Sequence, residues 1–497
     1  MSEYSPDEEE KSPRQNYDHQ SYDDDMTFQE QIQFEEEQRL ESQNDEFHLS
    51  DNLQQHLNQS QGLASTELMN HRSMSERSIS GLNSTKFSQM VEDLVNQFKI
   101  PHFGHMTNNN KFEVVSPALV NNKYVAYHIR GEDSLGQFDG QRRYNEFYQF
   151  RNILLIRWPG VYVPAIPPKK AVGNKDVKFI IERRYYLERY LKQLSQLPYL
   201  LNSEEFRIFV RPEFTGGNSD VQSQLIKLPK LNYDELGARY IESFGLNELQ
   251  FKRIADKQQE YEYKLQEFEG FLKKLVVQYK ALRKQIKGLA ELQDLTVQNQ
   301  KQIINVLHKY EEKSLGYYVD NNQQKMIFGD STNDLYKSLK EMCEKTQNPF
   351  ASLYYWVKGE ILDVQTFQDS IQQRYQLTVL IQKLSTKKLT QQTELDKLLG
   401  GKKSLRTLFK SSNEKQNYSI TLQKQIDQID KQIEGLISMG IVLDWHLGDM
   451  MMPMFKKDKI DNFSQILRQM SSIEVENSNL GAVHWSKVLS NQNLKHF

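Results

Sequence analysis

The stretch QRRYNEFYQF, residues 141–150, joins an extended segment to a helical one. Before it, KFEVVSPALV (111–120) and KYVAYHIRG (123–131) alternate β-branched and aromatic residues between turn formers, which predicts two or three antiparallel strands. The apolar residues after it recur at helical spacing. A strand is therefore expected to end near Tyr144, where two arginines and an aromatic ring stand together.

The helix that begins in this stretch has Asn145 as its expected N-cap. It is followed by VPAIPPKK (163–170), whose prolines favour polyproline or turn geometry, and by a second helix, VKFIIERRYYLERYLKQL (177–194). Strands, helix, proline-rich loop and helix predict one α+β domain with a small antiparallel sheet, ending near Arg211.

Composition separates the two ends of the chain. Residues 1–60 hold 17 Asp or Glu and 3 Lys or Arg, a net charge of −14, whereas the whole chain of 497 residues carries −3. Such a polar, acidic segment buries too little apolar surface to fold, so residues 1–85 are predicted to be disordered. A single cysteine, no apolar run of membrane-spanning length and an N-terminus without an apolar signal region favour a cytoplasmic protein.

Beyond about residue 232 the pattern is helical. A seam with 3-4 spacing runs along the first long helix, and a similar seam recurs near the C-terminus. The first seam consists of Leu265, Phe268, Leu272, Leu275, Tyr279, Leu282, Ile286 and Leu289. Breaks near 311–332 and 398–415 predict three long antiparallel helices that dimerise, and Pro453 is expected to kink the last helix.

The first domain is basic: residues 111–213 hold 17 Lys or Arg and 11 Asp or Glu. Arg143, Lys169 and Arg183 come from a strand end, a proline-stiffened loop and a helix that the fold can bring together. Guanidinium groups bind phosphate in a bidentate way and Tyr144 offers a flat ring, so a phosphorylated polyol would suit this set. The alternative is that Arg183, at a core-facing position, pairs with a buried carboxylate such as Glu146.

Three motifs in this order, RRYNEF (142–147), VPAIPPK (163–169) and ERRYYLERYL (182–191), closely resemble the Phox homology (PX) domain of sorting nexins. The resemblance implies that Arg143 binds the 3-phosphate of phosphatidylinositol 3-phosphate and that Tyr144 stacks under the inositol ring. It also implies that Lys169 contacts the 1-phosphate region and that Arg183 holds the 4- and 5-hydroxyls. Arg142, on the opposite face of the strand, is expected to support the fold or face the membrane.

In sorting nexins that carry long C-terminal helices, those helices form a BAR domain, a curved dimer. The resemblance therefore implies a BAR-like three-helix bundle over 232–497, after a disordered region (1–85), a PX domain (86–213) and a linker (214–231). Basic residues away from the seam are candidates for contact with acidic lipid, or are an ordinary solvated face. They are Lys273, Lys280, Lys284, Lys287, Lys402, Lys403 and Arg406.

The expected function is that of a peripheral sorting nexin. It would bind phosphatidylinositol 3-phosphate and acidic membrane on the cytosolic face of endosomes, as a homodimer or as a heterodimer with another sorting nexin, to sense or shape membrane in protein sorting. The alternative is a coiled-coil tether or scaffold docked on endosomes without membrane remodelling. The sequence lacks H-E-x-x-H, G-x-S-x-G and Walker motifs and a nucleic-acid-reading motif, so neither an enzyme with a cofactor or metal nor a nucleic-acid-binding protein is expected.

Overall fold

The protein is described here from a computed structural model. It describes residues 86–87, 89, 112–120, 123–169, 177–212, 220–229, 231–314, 317, 334–400 and 412–490. The disorder predicted for residues 1–85 lies outside this part of the chain.

A three-stranded antiparallel sheet opens the first domain, in the order β1-β2-β3. Its strands are β1 (Glu113–Val120), β2 (Tyr124–Asp133) and β3 (Gly136–Arg143). The register of β1 on β2 shifts between Val115 and Ala118, where Ser116 takes a φ of 46°. This bulge bends the strand, and the predicted antiparallel sheet is confirmed.

Four helices complete the domain and cover one side of the sheet. They are α1 (Tyr144–Arg157), α2 (Val177–Leu194), α3 (Pro198–Leu201) and α4 (Glu204–Val210). Their aromatic residues meet in the core: Phe150 stacks on Phe209 at 4.4 Å between ring centroids, and Phe112 stacks on Phe206 at 5.8 Å. The predicted α+β architecture is therefore confirmed.

The expected N-cap of α1 was wrong by two residues. Arg143, in extended geometry, is the N-cap and Tyr144 is the first helical residue. The carboxylate of Glu146 accepts the backbone N–H of Arg143 at 2.7 Å, which satisfies a donor at the helix start without an Asn side chain. The strand thus ends one residue before Tyr144.

Short helices connect the two halves of the chain. They are α5 (Val221–Ile226), α6 (Tyr233–Ser243) and α7 (Glu248–Asp256). The linker proposed over 214–231 therefore contains a folded element: Val221 and Leu225 of α5 are fully buried in the same core as the sheet.

Long helices form the rest of the described chain. They are α8 (Gln258–Lys313), α9 (Asp334–Lys345), α10 (Pro349–Leu399), α11 (Ser412–Trp445) and α12 (Met452–Leu489). The helices α8 and α10 end inside the two predicted breaks, and α11 continues through a π-helical segment, His446–Met451, into α12. The predicted three long helices are confirmed, whereas α9 was not anticipated.

The π-helical segment lies immediately before Pro453. Proline has no backbone N–H and its ring crowds the carbonyl four residues earlier, so the normal i to i−4 pattern is interrupted there. Wider i to i−5 bonding accommodates the interruption. Pro453 therefore disturbs the last long helix at the position that the sequence predicted. The disturbance is a π-helical turn, and the helix continues through it.

The seam predicted on α8 is only partly covered within one chain. Its first members, Leu265, Phe268 and Leu272, are buried, but Leu282 and Leu289 are 41% and 44% exposed. The second half of the helix therefore packs less completely than a continuous seam implies. Leu282 and Leu289 therefore remain partly exposed within one chain.

The first domain is docked on the side of the helical bundle. The loop after α1 binds α10, because the N–H of Gly160 donates to Gln373 Oε1 at 2.9 Å and Ser370 Oγ donates to the carbonyl of Val161 at 3.1 Å. Gly160 has a φ of 82°, and a Cβ there would lie 2.7 Å from Leu443. The helix α6 joins both halves, since the Tyr240 hydroxyl donates to the carbonyl of Pro159 at 2.7 Å.

The helix α6 packs closely against α11. A Cβ on Gly435 would lie 2.4 Å from the carbonyl oxygen of Tyr233, and one on Gly237 would lie 2.7 Å from the carbonyl oxygen of Gly435. The two glycines therefore allow backbone-to-backbone contact.

Candidate anion-binding site at the start of helix α1

The two adjacent arginines at the end of β3 have separate roles. Arg142 is buried, and its Nε donates to the carbonyl of Phe209 at 2.6 Å. It therefore supports the fold, which was one of the two roles expected for it. The next side chain, Arg143, is half-buried and lies over the ring of Tyr124, 5.8 Å from its centroid.

Arg143 keeps its charge available. Its Nη2 donates to the neutral amide oxygen Oε1 of Gln222 at 3.2 Å. Within the described residues no carboxylate forms an ion pair with Arg143. A guanidinium held by an uncharged partner can add charge-assisted bonds to an anion without first breaking a salt bridge.

Arg183 lies between aromatic rings. Its guanidinium carbon is 4.0 Å from the ring centroid of Tyr144 and 4.2 Å from that of Phe179, and only 7% of the residue is exposed. It also donates a hydrogen bond to the Tyr127 hydroxyl; burial raises the pKa of Tyr127 to about 12, and Arg183 opposes the rise. This geometry is a cation held by stacking.

The pairing of Arg183 with Glu146, which the sequence left open, is not found in the described part of the chain. Glu146 instead accepts the N–H of Arg143. The Nε of Arg183 is buried and has no hydrogen-bond partner among the described residues. A buried donor without a partner is costly, and such groups usually await a ligand or water.

Tyr144 has a more structural position than the resemblance implies. The ring is 7% exposed, Arg183 covers one face, and its hydroxyl donates to the carbonyl of Pro167 at 2.5 Å. Burial raises its pKa well above the ordinary tyrosine value. Tyr144 therefore positions Arg183 and the proline-rich loop together, and any contact with a ligand ring is left to its edge.

Lys169 reaches the same side of α1 through the proline-rich loop. The Arg151 Nε donates to the carbonyl of Pro164 at 2.9 Å, so Arg151 and Tyr144 hold the loop at two points. The Lys169 ammonium then lies 3.5 Å from the ring centroid of Tyr148 and is exposed. Because Tyr144 and Tyr148 are one helical turn apart, Arg183 and Lys169 rest on neighbouring rings.

The structure thus places Arg183 and Lys169 on neighbouring rings of α1, while the guanidinium of Arg143 lies against Gln222 and Tyr124. Sequence reasoning missed Tyr148, Phe179, Tyr127 and Gln222. The four-residue spacing from Tyr144 could have indicated Tyr148. Gln222, 79 residues from Arg143, could not have been found without the fold.

The basic residues proposed on the bundle have mixed surroundings. Lys273 and Lys287 lie near Glu269 and Glu291 on the same helix, with nitrogen–oxygen distances of 2.7 and 3.8 Å. Lys280 and Lys284 are exposed. Exposed pairs of this type hold little energy, so all four lysines can still face an acidic surface. The predicted residues Lys402, Lys403 and Arg406 lie outside the described residues.

Comparison with protein families identifies the first domain. Residues 131–213, from the end of β2 to just after α4, match the family model described as PX domain. The fold and the match define a PX-domain protein with a bundle of long helices after it.

Relatives extend this result. The chain is 28% identical over 150 residues to sorting nexin 2A of Arabidopsis thaliana, covering 27% of this chain and 26% of the relative. It is 37% identical over 82 residues to the vacuolar protein sorting-associated protein vps5 of Schizosaccharomyces pombe (16% and 14%), and 36% identical over 100 residues to human sorting nexin-8 (20% of each). The matches span about a quarter or less of each relative. The chain is therefore related to the sorting nexins, and the predicted PX domain is confirmed.

The cryo-EM structure of the SNX-BAR Mvp1 tetramer aligns with 76% of this chain and 100% of its own, at 17% identity and a TM-score of 0.41. Among the described residues, no helix combines the length and apolar character that crossing a bilayer requires.

Proposed function

We propose that the chain is a peripheral membrane protein of protein sorting that binds phosphatidylinositol 3-phosphate through its PX domain. It dimerises through its BAR-like helical bundle, as a homodimer or with another sorting nexin, and senses or shapes the cytosolic face of endosomal membranes. The observation that carries the proposal is the buried Nε of Arg183, which has no hydrogen-bond partner in the described part of the chain and belongs to a guanidinium on the ring next to that of Lys169. Phosphate and hydroxyl oxygens of a headgroup would supply acceptors there.

Each cation has a proposed role in this site. Arg143 binds the 3-phosphate, because its guanidinium is held by the neutral amide of Gln222 and forms no ion pair among the described residues. Arg183 binds ring hydroxyls, since its position between Tyr144 and Phe179 fixes its donors in direction. Lys169 adds a point charge near the 1-phosphate. Dimerisation would place two such sites on one membrane and increase the apparent affinity.

Vesicle sedimentation tests the proposal. We expect the full chain to pellet with vesicles that contain phosphatidylinositol 3-phosphate, and much less with vesicles that carry the same total charge as phosphatidylserine. Vesicles with the other monophosphorylated phosphoinositides measure specificity. Equal sedimentation with all charge-matched vesicles would contradict headgroup recognition and leave general attraction to acidic lipid.

The tether or scaffold without membrane remodelling stays the second candidate. The ion pairs of Lys273 and Lys287 with glutamates of their own helix favour it, because they partly neutralise the proposed membrane surface. Electron microscopy of the same vesicles separates the two candidates. Tubules support membrane shaping, and bound but unchanged vesicles support the tether.

The proposed dimer interface lies on the second half of α8. Apolar residues there share one face at separations of 3, 8, 3 and 4, and each is 49–64% exposed: Leu292, Leu295, Ile303, Val306 and Tyr310. A stripe of this length usually marks a protein interface. At the same end of the bundle α12 exposes Val475, Val483 and Trp485.

We expect the double variant Leu295→Lys, Val306→Lys to shift the mass in sedimentation velocity from dimer to monomer, because two buried charges oppose association. Leu135→Lys is the matched control, since Leu135 is 60% exposed on the hairpin of the PX domain. It should leave the mass unchanged. A double variant that stays dimeric would place the interface elsewhere.

A further inference from the structure

Two faces of helix α2 make contacts that bear on the candidate site. One carries Arg183 toward the candidate headgroup site, and the other lies against α10 of the bundle. There the Tyr186 hydroxyl donates to the carbonyl of Tyr355 at 2.8 Å, and Glu182 pairs with Lys358. The orientation of the headgroup site on the bundle is therefore set by this face of α2.

A buried cluster of charges lies at the centre of the same interface. Arg189 of α2 donates to both carboxylate oxygens of Asp363 on α10, at 2.6 Å for the Nη1–Oδ1 pair. Lys459 of α12 contacts Asp363 and lies 2.9 Å from Glu360 Oε2. Asp363 and Glu360 are fully buried, and Arg189 is 4% exposed. Two cations from separate elements thus meet two carboxylates of one helix.

The two carboxylates share these cations unequally. Asp363 forms ion pairs with Arg189 and Lys459 and accepts a hydrogen bond from the Gln193 amide at 3.2 Å. Glu360 forms an ion pair with Lys459. Its Oε1 lies 3.9 Å from Arg189 and has no hydrogen-bond partner among the described residues. Glu360 is one turn from Asp363, so its ionisation places a second negative charge beside the first.

The titration of the pair follows this asymmetry. Burial raises the pKa of Glu360 to about 7, assisted by the charge of Asp363 and opposed by Lys459 and Arg189. Burial also opposes ionisation of Asp363, but Arg189 and Lys459 outweigh it and lower that pKa to about 2. Glu360 is therefore the carboxyl that gains and loses a proton near neutrality.

Other titratable groups around Glu360 come from each neighbouring helix. They are Tyr185 of α2, Tyr279 of α8 and Asp458 of α12. Burial raises the pKa of both tyrosines, to about 12 for Tyr279, so they stay neutral. Burial also raises the pKa of Asp458, which accepts a hydrogen bond from Asn462 on its own helix at 3.1 Å.

We propose that the cluster of Arg189, Asp363, Glu360 and Lys459 is a proton-dependent lock, which holds the PX domain on the helical bundle more firmly when Glu360 is protonated. In the docked state Glu360 keeps a proton up to about pH 7, whereas in the undocked, solvated state it would lose it near the ordinary glutamate value. Raising the pH from the ordinary glutamate pKa to about pH 7 lowers the stability of the docked state. Above about pH 7 the stability falls no further. The lock concerns the interface alone and does not depend on the ligand of the PX domain.

Hydrogen–deuterium exchange of the full chain, corrected for intrinsic rates, tests the lock. Exchange in peptides from α2 and from the middle of α10 is expected to be about tenfold faster at about pH 8 than at about pH 6, the ratio for one proton lost at about pH 7. In Glu360→Gln, which imitates the protonated carboxyl, the two rates should be equal. Glu188→Gln is the matched control, because Glu188 lies on α2 and pairs with Lys192 outside the cluster. It should keep the wild-type dependence.

Two results would overturn the lock. One is a wild-type exchange rate that does not change between the two pH values in these peptides. The other is a pH dependence that persists in Glu360→Gln. If Glu360→Gln fails to fold, the wild-type comparison still decides, with peptides of α11 as the internal reference that should not change.

Discussion

Arg143→Ala is expected to weaken binding to vesicles with phosphatidylinositol 3-phosphate by on the order of 100-fold. Two charge-assisted hydrogen bonds to phosphate contribute about 1.5–3 kcal/mol each, and 1.4 kcal/mol corresponds to a factor of ten. The fold should be unaffected, because the Arg143 side chain donates to the neutral amide of Gln222 and its N-cap bond uses the backbone. Sedimentation across vesicle concentrations gives the affinity, and sedimentation velocity should show an unchanged dimer.

Arg130→Ala is the matched control for this loss. It removes the same charge from the same sheet, but Arg130 pairs with Glu113 at 2.6 Å and lies away from α1. Its affinity should stay within about threefold of wild type, as expected for an exposed pair. If Arg143→Ala sediments with the vesicles as wild type does, Arg143 is not part of the site. If both variants lose the same affinity, Arg143 contributes only nonspecific electrostatic attraction to acidic lipid.

The candidate residues of the site were predicted from their charges and motif order, but their surroundings in the fold were not. Motif order indicated Arg143, Lys169 and Arg183, and the structure places two of them on neighbouring rings of α1. The burial of Tyr144 under Arg183 depends on how α2 crosses α1. Local patterns describe one helix at a time, so a contact between helices is not contained in them.

In the long helices, too, local sequence patterns predicted the elements but not the contacts between them. Seam periodicity predicted α8 and its breaks because an apolar stripe is a property of one helix. The docking of the PX domain on α10 depends on contacts such as Arg189 with Asp363, 174 residues apart.

Asp363→Ala is expected to lower the free energy of unfolding by about 3–5 kcal/mol, because it removes the carboxylate that both Arg189 and Lys459 contact and leaves these buried cations less well compensated. Chemical denaturation followed by circular dichroism measures the loss. Asp396→Ala is the matched control on the same helix, since Asp396 is exposed and its carboxylate accepts a hydrogen bond from the Gln392 amide at 3.1 Å. It should cost less than about 0.5 kcal/mol. A loss below about 1 kcal/mol in Asp363→Ala would mean that water reaches the cluster and that the ion pairs do not hold the interface. Because α2 carries both Arg189 and Arg183, a loss of the expected size would tie the stability of the interface to the placement of the headgroup site.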